Sequence, residues 1–193
     1  MVTAGRTARS AGGASADVPS SIENVNAEWL TAVLDGGTVT DIRTERIAED
    51  TGQALQALTE GSMLLHGDIR ADNMFFDGDQ LKVVDFQLAA RGAGAADIAY
   101  LVSQGLPTEV RRGHDEALIR EYLACLSARG VMDYAFDEAW RHYRFAVAYL
   151  TILPVITLNG WDAMPERSRA LCVKLTDRAV ATIDEIDALE VFE

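Results

Sequence analysis

The segment Leu64–Gln87, LLHGDIRADNMFFDGDQLKVVDFQ, decides how the rest of the chain is read. A short apolar run, Leu64-Leu65, leads straight into the polar loop His66-Gly67-Asp68, and Asn73 follows Asp68 by five positions. Asn73–Phe76 and Leu81–Val84 then flank Asp77-Gly78-Asp79, which is the pattern of a β-hairpin. Asp85-Phe86 closes the stretch. Ser62–His66 reads as a strand running into the loop, so the carboxylates and the asparagine sit at the ends of strands and in turns.

Upstream of this segment, Gln53–Glu60 is a short helical piece entered through Ala48–Gly52. Thr38–Ile47 alternates as a strand with Val39, Ile42 and Ile47 on its buried side. Asn26 caps a helix over Ala27–Leu34 that stops at Gly36-Gly37. Met1–Ser21 is rich in Ala, Gly, Ser and Thr and is expected to be a disordered tail. Downstream the chain is nearly all helix. The predicted units are Ala96–Gln104, Thr108–Arg129 ending at Gly130, Asp137–Leu158 bent at Pro154, and Pro165–Leu189. Asp184–Glu193 reads as a solvated face with a frayed end. No internal repeat is present.

The 193 residues, 49% of them hydrophobic, suffice for a real core. Thirty acids against 17 bases give a net charge of −13, which argues against nucleic acid or an anionic membrane surface as a partner. Cys125 and Cys172 each fall in an apolar helical pattern and read as buried thiols of a reducing, cytoplasmic compartment. The longest apolar run, Phe145–Leu158, is too short to span a bilayer.

The chemistry these residue types suit is phosphoryl transfer. A transferred phosphoryl group needs magnesium held by hard oxygen ligands and a carboxylate that orients the attacking hydroxyl and takes its proton. A loop with a carboxylate and, five residues on, an amide oxygen turns both toward one phosphate. A carboxylate after the hairpin completes a metal site. The Asp68-to-Asn73 spacing matches the protein-kinase catalytic loop, and Asp85-Phe86-Gln87 stands where those enzymes have Asp-Phe-Gly.

HGDIRADNMFF, VVDFQ and RGAGAADIAYLVSQGL together resemble the aminoglycoside phosphotransferase and choline-kinase superfamily, nearest its ecdysteroid-kinase-like branch. The resemblance covers Leu64 to the C-terminus well and the first third in fragments. It implies that Asp68 is the catalytic base, that Asn73 and Asp85 bind magnesium and with it ATP, that His66 braces the loop, and that Asp97 holds the loop from behind. It implies an α+β fold: a kinase-like C-terminal lobe over 53–193, mostly helical, with a small hairpin carrying the catalytic loop. The acceptor would be a hydroxyl on a small molecule.

Other residues take plainer readings. Arg70 and Arg91 are expected in ion pairs rather than on phosphate, and His114 and His142 are ordinary helix residues. Trp29, Trp140 and Trp161 belong to the core or its rim. Asp115, Glu116, Asp133, Asp137 and Glu138 fit solvated helix faces better than a site for a cationic acceptor.

The nucleotide-binding half is expected to be largely absent. The chain has two lysines, Lys82 and Lys174, and neither lies in an N-terminal strand. The 44 residues from Ile22 to Leu65 hold two helical pieces and one strand. A five-stranded lobe alone needs about 45 residues. Residues 22–52 therefore read as a remnant, with an internal deletion joined near Thr51–Ala54. Such a deletion would bare apolar surface and favour homo-oligomers. A non-catalytic binding or dimerisation module is the alternative function, and a metal-dependent phosphohydrolase a weaker one.

Overall fold

The computed structural model describes residues 51–61, 63–158 and 161–192. The expected tail, the helix over 27–34 and the strand over 38–47 lie outside the described residues, as does nearly all of the 22–52 segment. Among the described residues the architecture is mixed and helix-rich, with two small antiparallel sheets.

Helix α1 (Thr51–Thr59) leads into strand β1 (Met63–Leu65), the loop His66–Arg70, and a 3₁₀ turn, Ala71–Asn73. Strands β2 (Met74–Asp77) and β3 (Gln80–Val83) form the hairpin expected from sequence, with Phe76 opposite Leu81 and Asp77 opposite Gln80. After a second 3₁₀ turn, Phe86–Leu88, strand β4 (Ala90–Gly92) returns to pair with β1. β4 thereby anchors the far end of the hairpin beside the entry to the loop.

The helical body follows. Helix α2 (Ala95–Gly105) packs on α5 (Phe136–Leu150) and α7 (Glu166–Glu185), with α1 against α5 as well. Fully buried Ile119, Tyr143, Phe145, Val147 and Leu189 lie in one continuous core. No helix of the described residues is long and apolar enough to cross a membrane.

Four predicted features change. The unit over Thr108–Arg129 is two helices, α3 (Thr108–Arg111) and α4 (Asp115–Ser127), because Gly113 adopts φ +77° and turns the chain between them. The third unit breaks at Thr151, before α6 (Ile152–Leu158), rather than bending at Pro154. A proline ring excludes the carbonyl four residues back, here that of Leu150, so α5 ends there. The C-terminal segment is not a frayed, solvated end. After Asp187, at φ +50°, Ala188–Phe192 forms a 3₁₀ turn that buries Ala188 and Leu189 and sets Phe192 edge-on against Phe145. Of the two thiols, Cys172 is buried and Cys125 is exposed.

Candidate active site

The loop after β1 is built from groups that fix one another. Asp97, in the first turn of α2, receives the backbone N–H of His66 at 2.6 Å and of Gly67 at 3.0 Å. Its carboxylate replaces the partners these N–H groups lose where the strand ends, so the loop is tied to the helix behind it. Gly67 has φ +79°, and a Cβ there would run into the Leu88 carbonyl oxygen. Only glycine lets the loop pass so close to the second 3₁₀ turn.

His66 is buried and bridges two segments. Its Nε2 lies 2.8 Å from the Val84 carbonyl, and its Nδ1 receives the Asp68 N–H at 3.2 Å. A carbonyl only accepts and an amide N–H only donates, so both contacts hold together in one tautomer, protonated at Nε2. The ring also packs 4.6 Å from that of Phe86. His66 therefore couples the loop carrying Asp68 to the strand end carrying Asp85.

Asp68 and Asn73 face each other across the 3₁₀ turn. The Asn73 Nδ2 donates to the Asp68 carbonyl at 2.9 Å and to its Oδ2 at 3.2 Å. This leaves the Asn73 side-chain oxygen as the acceptor end of the amide. Its backbone carbonyl accepts the Val84 N–H at 3.0 Å, one residue before Asp85. Asp85 is exposed and left-handed (φ 65°, ψ 62°), with Gln87 Nε2 at 3.5 Å from its Oδ2. A non-glycine residue in this conformation is strained, and such strain gathers at functional sites.

The structure thus links His66, Asp68, Asn73 and Asp97 by direct hydrogen bonds and ties Asp85 to them through Val84. Two further residues join them. Arg70 Nε stands 3.2 Å from Asp68 Oδ1, an ion pair as expected from sequence. Tyr100 was not singled out by sequence reasoning. Burial, then the charge of Asp68 and a hydrogen bond to it, push its phenol up to about 12, with Arg70 acting in the opposite direction. The available signal was spacing: Tyr100 follows Asp97 by three on one helix, so both face the loop.

Among the described residues no three His, Cys, Asp or Glu side chains converge as a metal cage. Asn73 and Asp85 supply hard oxygens from two elements held together by backbone hydrogen bonds. Such a pair suits magnesium, which takes one or two protein oxygens and completes its shell with water and substrate phosphates.

A separate charged network lies at the other end of α2. Arg111, 1% exposed, pairs with Asp115 at 2.5 Å and with Glu185, while Tyr143 donates to Asp115 at 2.6 Å. Asp115 is therefore a buried structural anion rather than part of a solvated face. An open groove of about 750 Å³, lined by Arg112, Trp140 and Glu185 among others, borders this network and includes no residue of the loop. His142 also departs from an ordinary helix position, since it is buried with Nδ1 2.9 Å from the Tyr134 hydroxyl. His114 is exposed ahead of α4, and Trp140 stacks on Tyr143 at the rim of the core.

Comparison with known proteins gives one finding of kind. No curated protein and no solved structure matches the chain. The family model of the phosphotransferase enzyme family matches residues 23–140, a span that contains the loop from His66 to Asn73, the hairpin and the DIAY helix. The chain therefore belongs to the phosphotransferase enzyme family.

Proposed function

We propose that this protein transfers the terminal phosphoryl group of ATP to a hydroxyl on a small molecule, as the kinase-like lobe of an enzyme nearest the ecdysteroid-kinase-like branch. The observation that carries this reading is the bonded set His66, Asp68, Asn73 and Asp97. It holds the Asp68 carboxylate against the Asn73 side-chain amide, with a second carboxylate one strand end away.

In this mechanism Asp68 receives the acceptor hydroxyl as hydrogen-bond partner. The hydroxyl oxygen forms its bond to phosphorus as the bond from phosphorus to the ADP oxygen breaks, and the proton passes to the Asp68 carboxylate. Asn73 fixes the Asp68 rotamer through its Nδ2. The Asn73 and Asp85 oxygens would hold magnesium, which supplies neutralisation of phosphate charge. Asp97 and His66 keep the loop in place without touching the reacting atoms.

The shortened nucleotide lobe is part of the proposal, with the junction of an internal deletion near Thr51–Ala54. Sequencing the source gene and its neighbours tests it: an intact lobe encoded in frame between those positions would remove the deletion. Magnesium-dependent ATP binding, measured by calorimetry on wild type and Asp85→Ala, tests the site. Binding that vanishes in the variant supports the kinase reading. Its absence at millimolar ATP in folded protein overturns that reading.

A second reading, a non-catalytic or dimerising module, is favoured by apolar side chains exposed on β1, the hairpin and the turn after it. Leu64 is 77% exposed and Phe76 75%, with Phe75, Leu81, Phe86 and Leu88 also exposed. Exposed apolar surface on this scale is characteristic of docking sites. Light scattering on wild type and Phe76→Glu separates the two: a dimer that dissociates in the variant, with no ATP binding in either, supports the module.

A further inference from the structure

We infer that Arg70 is an oxyanion-binding residue of this site, resting on the reading that Asp68 faces the acceptor hydroxyl. Arg70 precedes the 3₁₀ turn, and its side chain is 35% exposed. It meets Asp68 only through Nε, at 3.2 Å, and that nitrogen is buried without an aligned acceptor. Among the described residues its two terminal nitrogens donate to nothing. A purely structural pair would lay the guanidinium fork on the carboxylate with two parallel bonds. Here the fork is held at one edge and its open end is left for a planar or tetrahedral oxyanion.

The other cations are engaged elsewhere or stand apart. Lys82 binds Asp77 at 2.6 Å on the hairpin, and Arg111, Arg112 and Arg144 are tied to acids at the far end of the body. A hydroxyl within about 3 Å of Asp68 brings its reacting partners within reach of the Arg70 fork. The chemistry recognised is a phosphate or carboxylate oxyanion, from either the terminal phosphate of the nucleotide or an anionic group on the acceptor.

The ion pair also predicts a reversal of sign. While Asp68 is charged it opposes any anion at Arg70, so neutralising it should expose the fork. The probe is inorganic phosphate, followed by ³¹P NMR titration on wild type, Asp68→Asn, Arg70→Gln and the double variant, with near-ultraviolet circular dichroism as the folding check. Asp68→Asn keeps the acceptor for Asn73 and should bind phosphate at least about fivefold more tightly than wild type. The double variant should lose that gain, and Asp68→Asn/Arg70→Lys, which keeps the charge and loses the fork, should keep only part of it. Equal phosphate affinity in Asp68→Asn and in the folded double variant would overturn the inference. Calorimetry with magnesium ATP and magnesium ADP then identifies the source. Loss of the preference for ATP over ADP in Arg70→Gln assigns the fork to the nucleotide, and an unchanged preference assigns it to the acceptor. Phosphate binding through Arg70 in a protein that binds no ATP would uphold the inference while removing the kinase reading.

Discussion

The loop that follows β1, with its hairpin, and the helical body are stabilised in opposite ways. The body hides its charges and aromatics: Arg111, Asp115, Tyr143 and Phe145 are all buried, with Arg111 paired to Asp115 and Tyr143 donating to Asp115. The hairpin turns Phe75, Phe76 and Leu81 outward and is held mainly by backbone pairing, while the loop before it is braced by two bonds to Asp97 and by His66 bonding the Val84 carbonyl. A helical body folds around its own core. The loop is instead braced from behind and left open in front, and its stability is borrowed from the body through few contacts.

The sharpest way to break this contrast is in the body. Arg111→Ala leaves Asp115 buried without its cation, with only the Tyr143 hydroxyl donating to it, and Glu185 without its inner partner. We expect a loss of about 3–5 kcal/mol in urea denaturation, as for other broken buried pairs. A loss below about 1 kcal/mol would mean that water reaches Asp115 and that the body is no drier than the hairpin. The matching hairpin change, Phe76→Ser, should alter stability by less than about 0.5 kcal/mol. A much larger loss there would reveal a cover over the hairpin.

Between these extremes lies the brace. Asp97→Ala removes the acceptor of two loop N–H groups, at a cost of about 1–3 kcal/mol. Because it loosens the loop, it should also weaken any phosphoryl transfer far more than Phe76→Ser does. Asp97→Asn, which keeps one acceptor oxygen, should fall between. A wild-type turnover in Asp97→Ala would separate the brace from the chemistry.

How much of this was legible in the sequence follows from range. The loop, hairpin and DIAY helix are local patterns whose spacing is set by bonding over a few residues, and β2, β3 and α2 fall within a residue or two of expectation. The Arg111–Glu185 pair joins positions 74 apart, and the burial of Ala188 and Leu189 depends on packing of the C-terminal turn against α5. Neither leaves a local signal, so an acidic C-terminal run read as solvent-facing. Tyr100 was half legible: its spacing from Asp97 places it toward the loop, while its closeness to Asp68 depends on how the loop folds back.

Titration gives a smaller test of the same contact. Tyr100 has its folded-state pKa raised from the ordinary 10.0 to about 12, by burial first and then by Asp68. A raised folded-state value means that the folded protein holds its proton longer than the unfolded chain. The contribution is fully present below pH 10 and declines as pH rises from 10 to about 12. Tyr143 and Tyr134, also raised by burial, act in the same direction. Tyr100→Phe should therefore flatten part of the alkaline decline in melting temperature, and an unchanged slope would mean that the phenol is neither buried nor held against Asp68.

A further small effect has the most telling sign. Asp85 is exposed and left-handed, a conformation that glycine adopts without penalty. Asp85→Gly relieves about 1–2 kcal/mol of backbone strain. The extra freedom of glycine in the unfolded chain offsets roughly 0.5–1 kcal/mol of that. The net should lie between no change and a stabilisation of about 1.5 kcal/mol, seen as a small rise in the denaturation midpoint with unchanged slope. The same variant should lose magnesium-dependent ATP binding if the carboxylate is a metal ligand. A gain in stability joined to a loss of binding would show that the strain at Asp85 is kept for the site. A loss of stability would show that the Asp85 side chain supports the turn, and the contrast between braced loop and self-sufficient body would narrow.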